Sequence, residues 1–263
     1  MKKLFPLSAI LVFLGCTSGV KEVPKMQGAY FMTSQTLNYN NTERKYTDLK
    51  QLKIYTDSFM MFTQVNPSDS ASGFGVGSYT TSAGQVTEND FYTSRDAVIN
   101  GNAATYTLDI TKAVDGYTQV IPSIMVDSQN TKLTEEYQSV GKAQKTPLDG
   151  VWKQTSARSI KGNDTTRNNQ LLTQYKAFYA GYFMWGQSTK DSTGKNHTGI
   201  GFGTFEWQND KQIKETDLNS TFAIIAGQSF MVDIDMPDGD NFTQTISYPD
   251  GTKSVEVYTR VKK

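Results

Sequence analysis

The chain contains two copies of one pattern, and this duplication limits its architecture more than any other feature. Six blocks of the first half return in the same order in the second half, each about 124 residues later. The paired blocks are Gly28-Ala-Tyr30 with Gly150-Val-Trp152, Asp57-Ser-Phe-Met-Met-Phe62 with Ala180-Gly-Tyr-Phe-Met-Trp185, Gly73-Phe-Gly-Val-Gly77 with Gly199-Ile-Gly-Phe-Gly203, Glu88-Asn-Asp90 with Glu215-Thr-Asp217, Tyr106-Thr-Leu-Asp-Ile110 with Phe230-Met-Val-Asp-Ile234, and Tyr117-Thr-Gln-Val-Ile121 with Phe242-Thr-Gln-Thr-Ile246. A repeat of this length is too long for a solenoid unit and fits a whole small domain. The sequence therefore predicts two tandem domains of one fold.

Composition and patterning favour β-strands in both copies. The chain has 14 Tyr, 14 Phe and 21 Gly residues, which are types that favour strands and turns. Apolar and polar residues alternate from Phe230 to Met236, and turn pairs such as Asp115-Gly116 and Asn100-Gly101 separate the runs. Closing such strands into a barrel removes edges that would aggregate. We predict an all-β protein of two tandem antiparallel β-barrels, with a long loop at about 161–174, where the alternation is weakest.

The N-terminal segment predicts export and attachment to a membrane. Residues 1–15 combine Lys2 and Lys3 with a short apolar stretch, which is typical of a secretory signal. The segment ends in Gly15-Cys16, which resembles the bacterial lipobox, and Cys16 is the only cysteine of the chain. We expect removal of 1–15, lipidation of Cys16, a tether over 16–27, and a protein anchored in the bacterial envelope, at the periplasmic or surface face of the outer membrane. The alternative is a plain signal peptide with an incidental cysteine.

Domain boundaries and excluded chemistries follow from the remaining composition. We predict a first barrel over 28–142, a linker over 143–147 and a second barrel over 148–263. Equal numbers of acidic and basic residues, 26 of each, argue against nucleic acid as a partner. His197 is the only histidine, so neither a zinc site nor a Ser-His-Asp triad can be built. We therefore expect a protein that is not an enzyme and uses no metal or cofactor.

The two ends of the second copy resemble the lipocalins. Gly150-Val-Trp152 opens this copy, and Tyr258-Thr-Arg260 lies near its end. In lipocalins, such a Trp lies at the barrel floor and an Arg from the last strand lies across it. More specifically, residues 148–263 are similar to the lipocalin-like domain of unknown function in lipoproteins of Bacteroidota. The resemblance implies a calycin-type barrel and an envelope location, but no established activity. The first copy matches more loosely, with Tyr30 in place of Trp152 and without the terminal Arg.

Several candidate site residues recur at equivalent positions of the two copies. Glu88 and Glu215 each precede a turn-like pair, and Lys53 and Lys176 are equivalent lysines. Because a buried carboxylate needs a partner, we expect a Lys–Glu pair inside each barrel. The alternative is an exposed glutamate at a strand end. The aromatic runs that end at Phe62 and Trp185 either line an apolar pocket or belong to the core. The remaining candidates for the pocket or the barrel floor are Tyr30, Trp152, Tyr258 and Arg260.

An eight-stranded barrel can fill with side chains or enclose one small ligand, and this leaves two functions open. We expect a lipid-anchored envelope protein that binds a small apolar or amphipathic ligand. The alternative is a structural or protein-interaction module with filled barrels. A ligand-binding barrel should enclose a mostly apolar cavity of roughly 300 Å³ or larger. The glycines at 73–77 and 199–203 are spaced by two, which indicates a bend or a close approach of the backbone and not a phosphate loop.

Overall fold

The structure is a computed structural model that describes residues 22–65, 72–94, 104–126, 128–141, 145–167 and 171–263. The regular elements in these ranges are β-strands. Within the same ranges there is no helix long and apolar enough to cross a membrane. The expected signal segment and Cys16 lie outside the described residues.

The first nine strands form a closed barrel, which we call barrel 1. They are β1 Gly28–Tyr39, β2 Thr42–Tyr46, β3 Lys50–Tyr55, β4 Phe59–Val65, β5 Gly73–Ser82, β6 Gln85–Thr93, β7 Ala104–Ala113, β8 Gly116–Val126 and β9 Gln129–Val140. Each strand pairs antiparallel with the next along the ring, and β9 returns to β1. The short β2 pairs only with the far end of β1, so eight strands make the ring itself.

The next nine strands repeat this arrangement as barrel 2. They are β10 Gly150–Lys161, β11 Asp164–Arg167, β12 Leu171–Tyr179, β13 Tyr182–Lys190, β14 Asn196–Asn209, β15 Gln212–Ser220, β16 Ser229–Asp235, β17 Asn241–Ser247 and β18 Lys253–Arg260. Strand β18 closes the ring against β10. The prediction of an all-β protein with two tandem antiparallel barrels is confirmed.

The prediction of a long loop at 161–174 is wrong. Strand β10 continues to Lys161, the chain turns, and β11 pairs back on it with Ser159 opposite Thr166. Every residue of β11 is exposed. A strand without a buried face has no apolar alternation, and for this reason its sequence resembled a loop.

Each barrel has an apolar interior at the end where its first strand begins. In barrel 1 the largest fully buried members are Tyr55 and Met60, and in barrel 2 they are Trp152 and Tyr258. Met26 belongs to the segment expected to be a tether, yet it is 3% exposed and packs inside barrel 1. The chain is therefore already part of the barrel at this residue.

A third apolar core, which we call the seam, joins the outer faces of the two barrels. Its buried members are Ala29, Leu52, Ile54, Phe59, Met61, Phe74 and Val76 from barrel 1, with Val151, Tyr175, Ala177, Ala180, Met184, Ile200 and Phe202 from barrel 2. The Phe31 ring lies 5.8 Å from that of Phe202. A Cβ atom at Gly186 would lie 2.3 Å from the Phe74 ring, so this glycine admits an aromatic side chain of the other barrel.

The seam brings equivalent strands of the two copies together. Met61 and Met184 occupy the same position of the repeat, and both lie in this cluster. The same holds for Phe74 with Ile200 and for Val76 with Phe202. The contact therefore resembles the self-complementary interface of a two-fold dimer, built here within one chain.

Candidate functional site

The interior of each barrel contains the same seven polar residues. In barrel 1 they are Gln51, Lys53, Glu88, Asp90, Gln119, Glu135 and Tyr137, and in barrel 2 they are Gln174, Lys176, Glu215, Asp217, Gln244, Glu256 and Tyr258. All are buried except Glu256, which is half-buried. We call each set an interior polar cluster. Burying such groups costs free energy unless other polar groups satisfy them.

In barrel 2 all members of the cluster except Asp217 form a continuous chain of hydrogen bonds. Lys176 Nζ donates to Glu215 Oε1 at 2.6 Å and to Gln244 Oε1 at 2.9 Å. The amide of Gln244 donates to Glu256 Oε2 at 3.0 Å, and the Tyr258 hydroxyl donates to the same oxygen at 2.5 Å. Burial, reinforced by Glu256, raises the pKa of Tyr258 well above its usual value. The hydroxyl therefore remains a donor over the whole physiological range.

Barrel 1 contains an equivalent set of hydrogen bonds, with one additional donor from Tyr55. Lys53 Nζ lies 2.7 Å from Glu88 Oε1, and Gln119 Nε2 donates to Glu135 Oε2 at 2.6 Å. The Tyr55 hydroxyl also donates to Glu88. Phe178 occupies the equivalent position of barrel 2 and has no hydroxyl to donate. The structure thus places a Lys–Glu pair in each barrel. The carboxylate of Glu88 pairs with Lys53 and accepts a hydrogen bond from Tyr55, whereas that of Glu215 has, among the described residues, only the donor from the equivalent lysine.

The sequence context of Asp90 and Asp217 indicated turns. In the structure, both residues lie within strands, β6 and β15. Each faces the interior two residues after its glutamate, since alternate residues of a strand share a face. They are 5% and 4% exposed, and within the described part of the chain Oδ1 of each has no hydrogen-bond partner. Burial, followed by the nearby Glu88, raises the pKa of Asp90 to about 7. Burial and Glu215 raise the pKa of Asp217 to about 6.

The raised pKa of Asp90 predicts a stabilising substitution. Between about pH 4 and 7 the folded state holds a proton that the unfolded state releases, so stability falls as the pH rises through this window. Asp90→Asn should therefore raise the free energy of unfolding at pH 8 by about 2–4 kcal/mol and leave it nearly unchanged at pH 4. Denaturant titrations at both pH values measure this. The exposed Asp210→Asn should change neither value, and a destabilised Asp90→Asn protein at pH 8 would contradict the assignment.

The polar cluster of barrel 2 forms the floor of a cavity of about 170 Å³. Its walls consist of Trp185, Gln187, Phe222, Ile225, Phe230, Ile246 and Tyr248, so apolar side chains predominate in the walls while the cavity as a whole is about as polar as it is apolar. The Trp185 ring stacks on the Phe222 ring at a centroid distance of 5.7 Å. The cavity is smaller than the roughly 300 Å³ expected, and its floor is more polar than expected. It therefore suits a molecule of about one ring, or the head of a larger one.

Two glycines position aromatic side chains inside the barrels. Gly201 lies opposite Trp185 in the β13–β14 pair, and a Cβ atom there would come within 2.6 Å of the indole. Gly75 stands in the same relation to Phe62 in barrel 1. The glycine spacing thus marks a close approach to the backbone, as predicted.

The end of barrel 2 where β10 begins is closed by an aromatic residue and a cation. Trp152 is fully buried and lies opposite Arg260 across the β10–β18 pair. The guanidinium carbon lies 4.0 Å from the indole centroid. Arg260 also donates to the carbonyls of Asp149, Pro147 and Gly239, the first at 2.6 Å. In barrel 1, Tyr30 packs edge-on against Tyr117 at 4.9 Å, and Ser139 lies opposite it.

A wider cleft of about 310 Å³ lies between the barrels, near Arg260. Asp57, Lys145, Asp149 and Tyr179 contribute to its lining. The guanidinium of Arg260 is already engaged by three carbonyl oxygens. We place the candidate site in barrel 2 instead, because that cavity is lined by Asp217, whose Oδ1 atom has no hydrogen-bond partner among the described residues.

The structure distributes the predicted residues over three places. Lys176, Trp185, Glu215 and Tyr258 line the cavity. Trp152 and Arg260 form the closed end of barrel 2. The residues of barrel 1 lie at the equivalent positions of their own interior, and these are Tyr30, Lys53, Phe62 and Glu88. Among the described residues, no group of three or more His, Cys, Asp or Glu could hold a metal ion.

Four members of the barrel 2 cluster were missed by the sequence reasoning. They are Gln174, Asp217, Gln244 and Glu256. Their signal was present, because each is identical to the residue at the equivalent position of the first copy. An identical polar residue at a strand position in two diverged copies indicates a shared interior role.

Comparisons with known proteins give remote structural likeness only. No protein-family model and no curated protein sequence matches the chain. A protein of unknown function of the DUF3598 family from Nostoc punctiforme is 10% identical, with 89% of this chain and 96% of that one covered and a TM-score of 0.27. A double mutant of transferrin binding protein B from Haemophilus parasuis is 9% identical, with 92% and 77% covered and a TM-score of 0.28. Likeness at this level says nothing about the function of the present chain.

Proposed function

We propose that this protein is anchored by a lipid in the bacterial envelope and that its barrel 2 binds one small amphipathic molecule. It acts by binding and not by catalysis. The cavity carries the proposal, because its largely apolar walls lie above a polar floor on which Asp217 Oδ1 finds no hydrogen-bond partner among the residues that the structure describes. The resemblance of residues 148–263 to lipocalin-like domains of lipoproteins supports both parts.

The walls and the floor of the cavity should contact different parts of the ligand. An apolar ring would contact Trp185, Phe230 and Ile246, while a polar end would reach the interior polar cluster. Phe222 is 41% exposed and stacks on Trp185 at the rim. Aromatic walls of this kind contribute most of the affinity in small-molecule sites, and the few polar groups fix orientation.

The anchor predicts that replacing the sulfur atom of Cys16 with oxygen changes the location of the protein. Cys16→Ser cannot accept a thioether-linked lipid, so the variant should move from the membrane fraction to the soluble envelope fraction. Fractionation of the native host followed by immunoblotting measures this. Unchanged association with the membrane in high salt and carbonate would contradict lipid anchoring at Cys16.

The ligand predicts a stability difference between two preparations of one protein. Protein purified from its own host should unfold at a higher temperature than the same protein after it has been denatured, dialysed and refolded. A bound ligand stabilises by mass action, and each kcal/mol raises Tm by about 2–4 °C in a protein of this size. An organic extract of the host envelope should restore the difference.

Matched substitutions assign this effect to barrel 2. Trp185→Ala should abolish the difference between the two preparations, whereas Phe62→Ala at the equivalent position of barrel 1 should retain it. Both variants lose one aromatic ring, so their ligand-independent losses are comparable. Identical Tm values for the two wild-type preparations, with no response to the extract, would favour the filled-barrel alternative.

A further inference from the structure

We infer that the cavity of barrel 2 selects an organic cation, with an ammonium or amidinium head on a small apolar body. The inference rests on the proposed function and specifies the ligand class. Three carboxyl groups face this cavity, those of Glu215, Asp217 and Glu256, against the single ammonium of Lys176. An anionic head would meet like charges in a buried space, where such charges interact most strongly.

The protein already engages several hydrogen-bond donors of the floor. Lys176 Nζ is held between Glu215 and Gln244. The Gln174 amide donates to the Tyr258 oxygen at 2.6 Å, and the Gln244 amide donates to Glu256. Among the described residues, the Oδ1 atom of Asp217 is an acceptor without a hydrogen-bond partner, in a side chain that is 4% exposed. A ligand that completes this site must donate, and an ammonium carries three N–H donors.

The comparison with barrel 1 points the same way. There the Tyr55 hydroxyl donates to Glu88 in addition to Lys53. Phe178 removes that donor from barrel 2, so the negative charge near Glu215 has less compensation from the protein. A charge-assisted hydrogen bond from a ligand cation to Asp217 would be about twice as strong as a neutral one.

The walls are suited to the same class. Trp185, Phe222, Phe230 and Tyr248 present aromatic surface around the acidic floor. Aromatic faces attract organic cations through their quadrupole. At about 170 Å³ the cavity limits the enclosed part to about one ring with a short amine.

Three probes of similar shape and different charge test whether the charge of the head group determines affinity. Refolded, ligand-free protein is titrated by calorimetry at pH 8 with 2-phenylethylamine, 2-phenylethanol and phenylacetate. The amine should bind at least about tenfold more tightly than the alcohol, since one charge-assisted hydrogen bond is worth about that factor. Phenylacetate should bind most weakly.

Two variants locate the preference. Asp217→Asn should reduce the amine-to-alcohol ratio at least about tenfold, whereas Asp90→Asn at the equivalent position of barrel 1 should keep it. The wild-type ratio should also fall below about pH 6, because protonation of Asp217 removes the charge that attracts the amine. Glu215, Glu256 and Lys176 face the same space and should shift this midpoint without removing it.

The outcomes distinguish this inference from the proposed function. Equal affinity for amine and alcohol, or loss of the preference in Asp90→Asn alone, overturns the cation class and its place in barrel 2. A host extract that raises Tm while the amine does not bind also overturns the cation class, but leaves the proposed function standing. If neither the extract nor any probe has an effect, the proposed function fails as well.

Discussion

Phe202→Asp should lower the free energy of unfolding by about 5 kcal/mol or more, because it combines loss of a buried ring with burial of an unpaired carboxylate. Phe202 is 1% exposed in the seam between the barrels. Its ring faces out of barrel 2, and without barrel 1 it would face solvent. Denaturant unfolding followed by circular dichroism measures the loss.

The seam also predicts how the variant unfolds. The wild-type protein should unfold in one transition, and Phe202→Asp should separate the two barrels or prevent folding altogether. Met231→Asp is the matched control, because Met231 is 46% exposed on the outer face of β16 and should change stability by less than about 0.5 kcal/mol. If both variants were equally stable, the two barrels would not share a core.

Trp152→Ala should cost about 3–5 kcal/mol, the range for removing a fully buried large aromatic side chain. Trp152 also packs edge-on against Phe242 at 4.8 Å, and its indole N–H donates to the Leu148 carbonyl at 2.7 Å. Arg260→Ala should cost about 2–3 kcal/mol, because it removes the stacked cation and three hydrogen bonds to carbonyls.

The double variant tests whether the two groups act together. Residues in contact are rarely additive, so the Trp152→Ala and Arg260→Ala effects should show a coupling energy of about 0.5–2 kcal/mol. Urea titrations of the four proteins supply the cycle. Additive losses would mean that the guanidinium does not stabilise the indole, contrary to the 4.0 Å contact.

Duplication made much of the fold predictable from sequence. The same blocks appear twice in the same order, so strand positions could be checked against each other. The equivalent lysines and glutamates predicted a Lys–Glu pair in each barrel, and the structure places Lys53 with Glu88 and Lys176 with Glu215. The order of the first and last strands also indicated that Trp152 and Arg260 could meet.

The seam could not be predicted, because strand alternation identifies only one buried face. Phe59-Met-Met-Phe62 and its counterpart are apolar without alternation, and such a run is expected where both faces of a strand are covered. Which surface covers the second face depends on how the barrels meet. The pattern was therefore consistent with a pocket, a core or an interface.

The polar character of the cavity was missed for a related reason. Asp90 and Asp217 follow Asn89 and Thr216 and resemble turn residues in isolation. Their two-residue spacing from a glutamate is the strand periodicity that places both carboxyl groups inside. The polar hairpin of β10 and β11 was missed because it has no buried face, and its sequence therefore shows no apolar alternation.

Native mass spectrometry of the Cys16→Ser protein, purified from its own host, tests the central claim most directly. Without the anchor lipid, any added mass that is lost on gentle activation must be held non-covalently. The account predicts one small bound molecule per chain, lost on gentle activation, present in the Phe62→Ala background and absent in the Trp185→Ala background. A chain of bare polypeptide mass in all three proteins, under conditions that preserve a known ligand complex, would contradict a ligand in barrel 2.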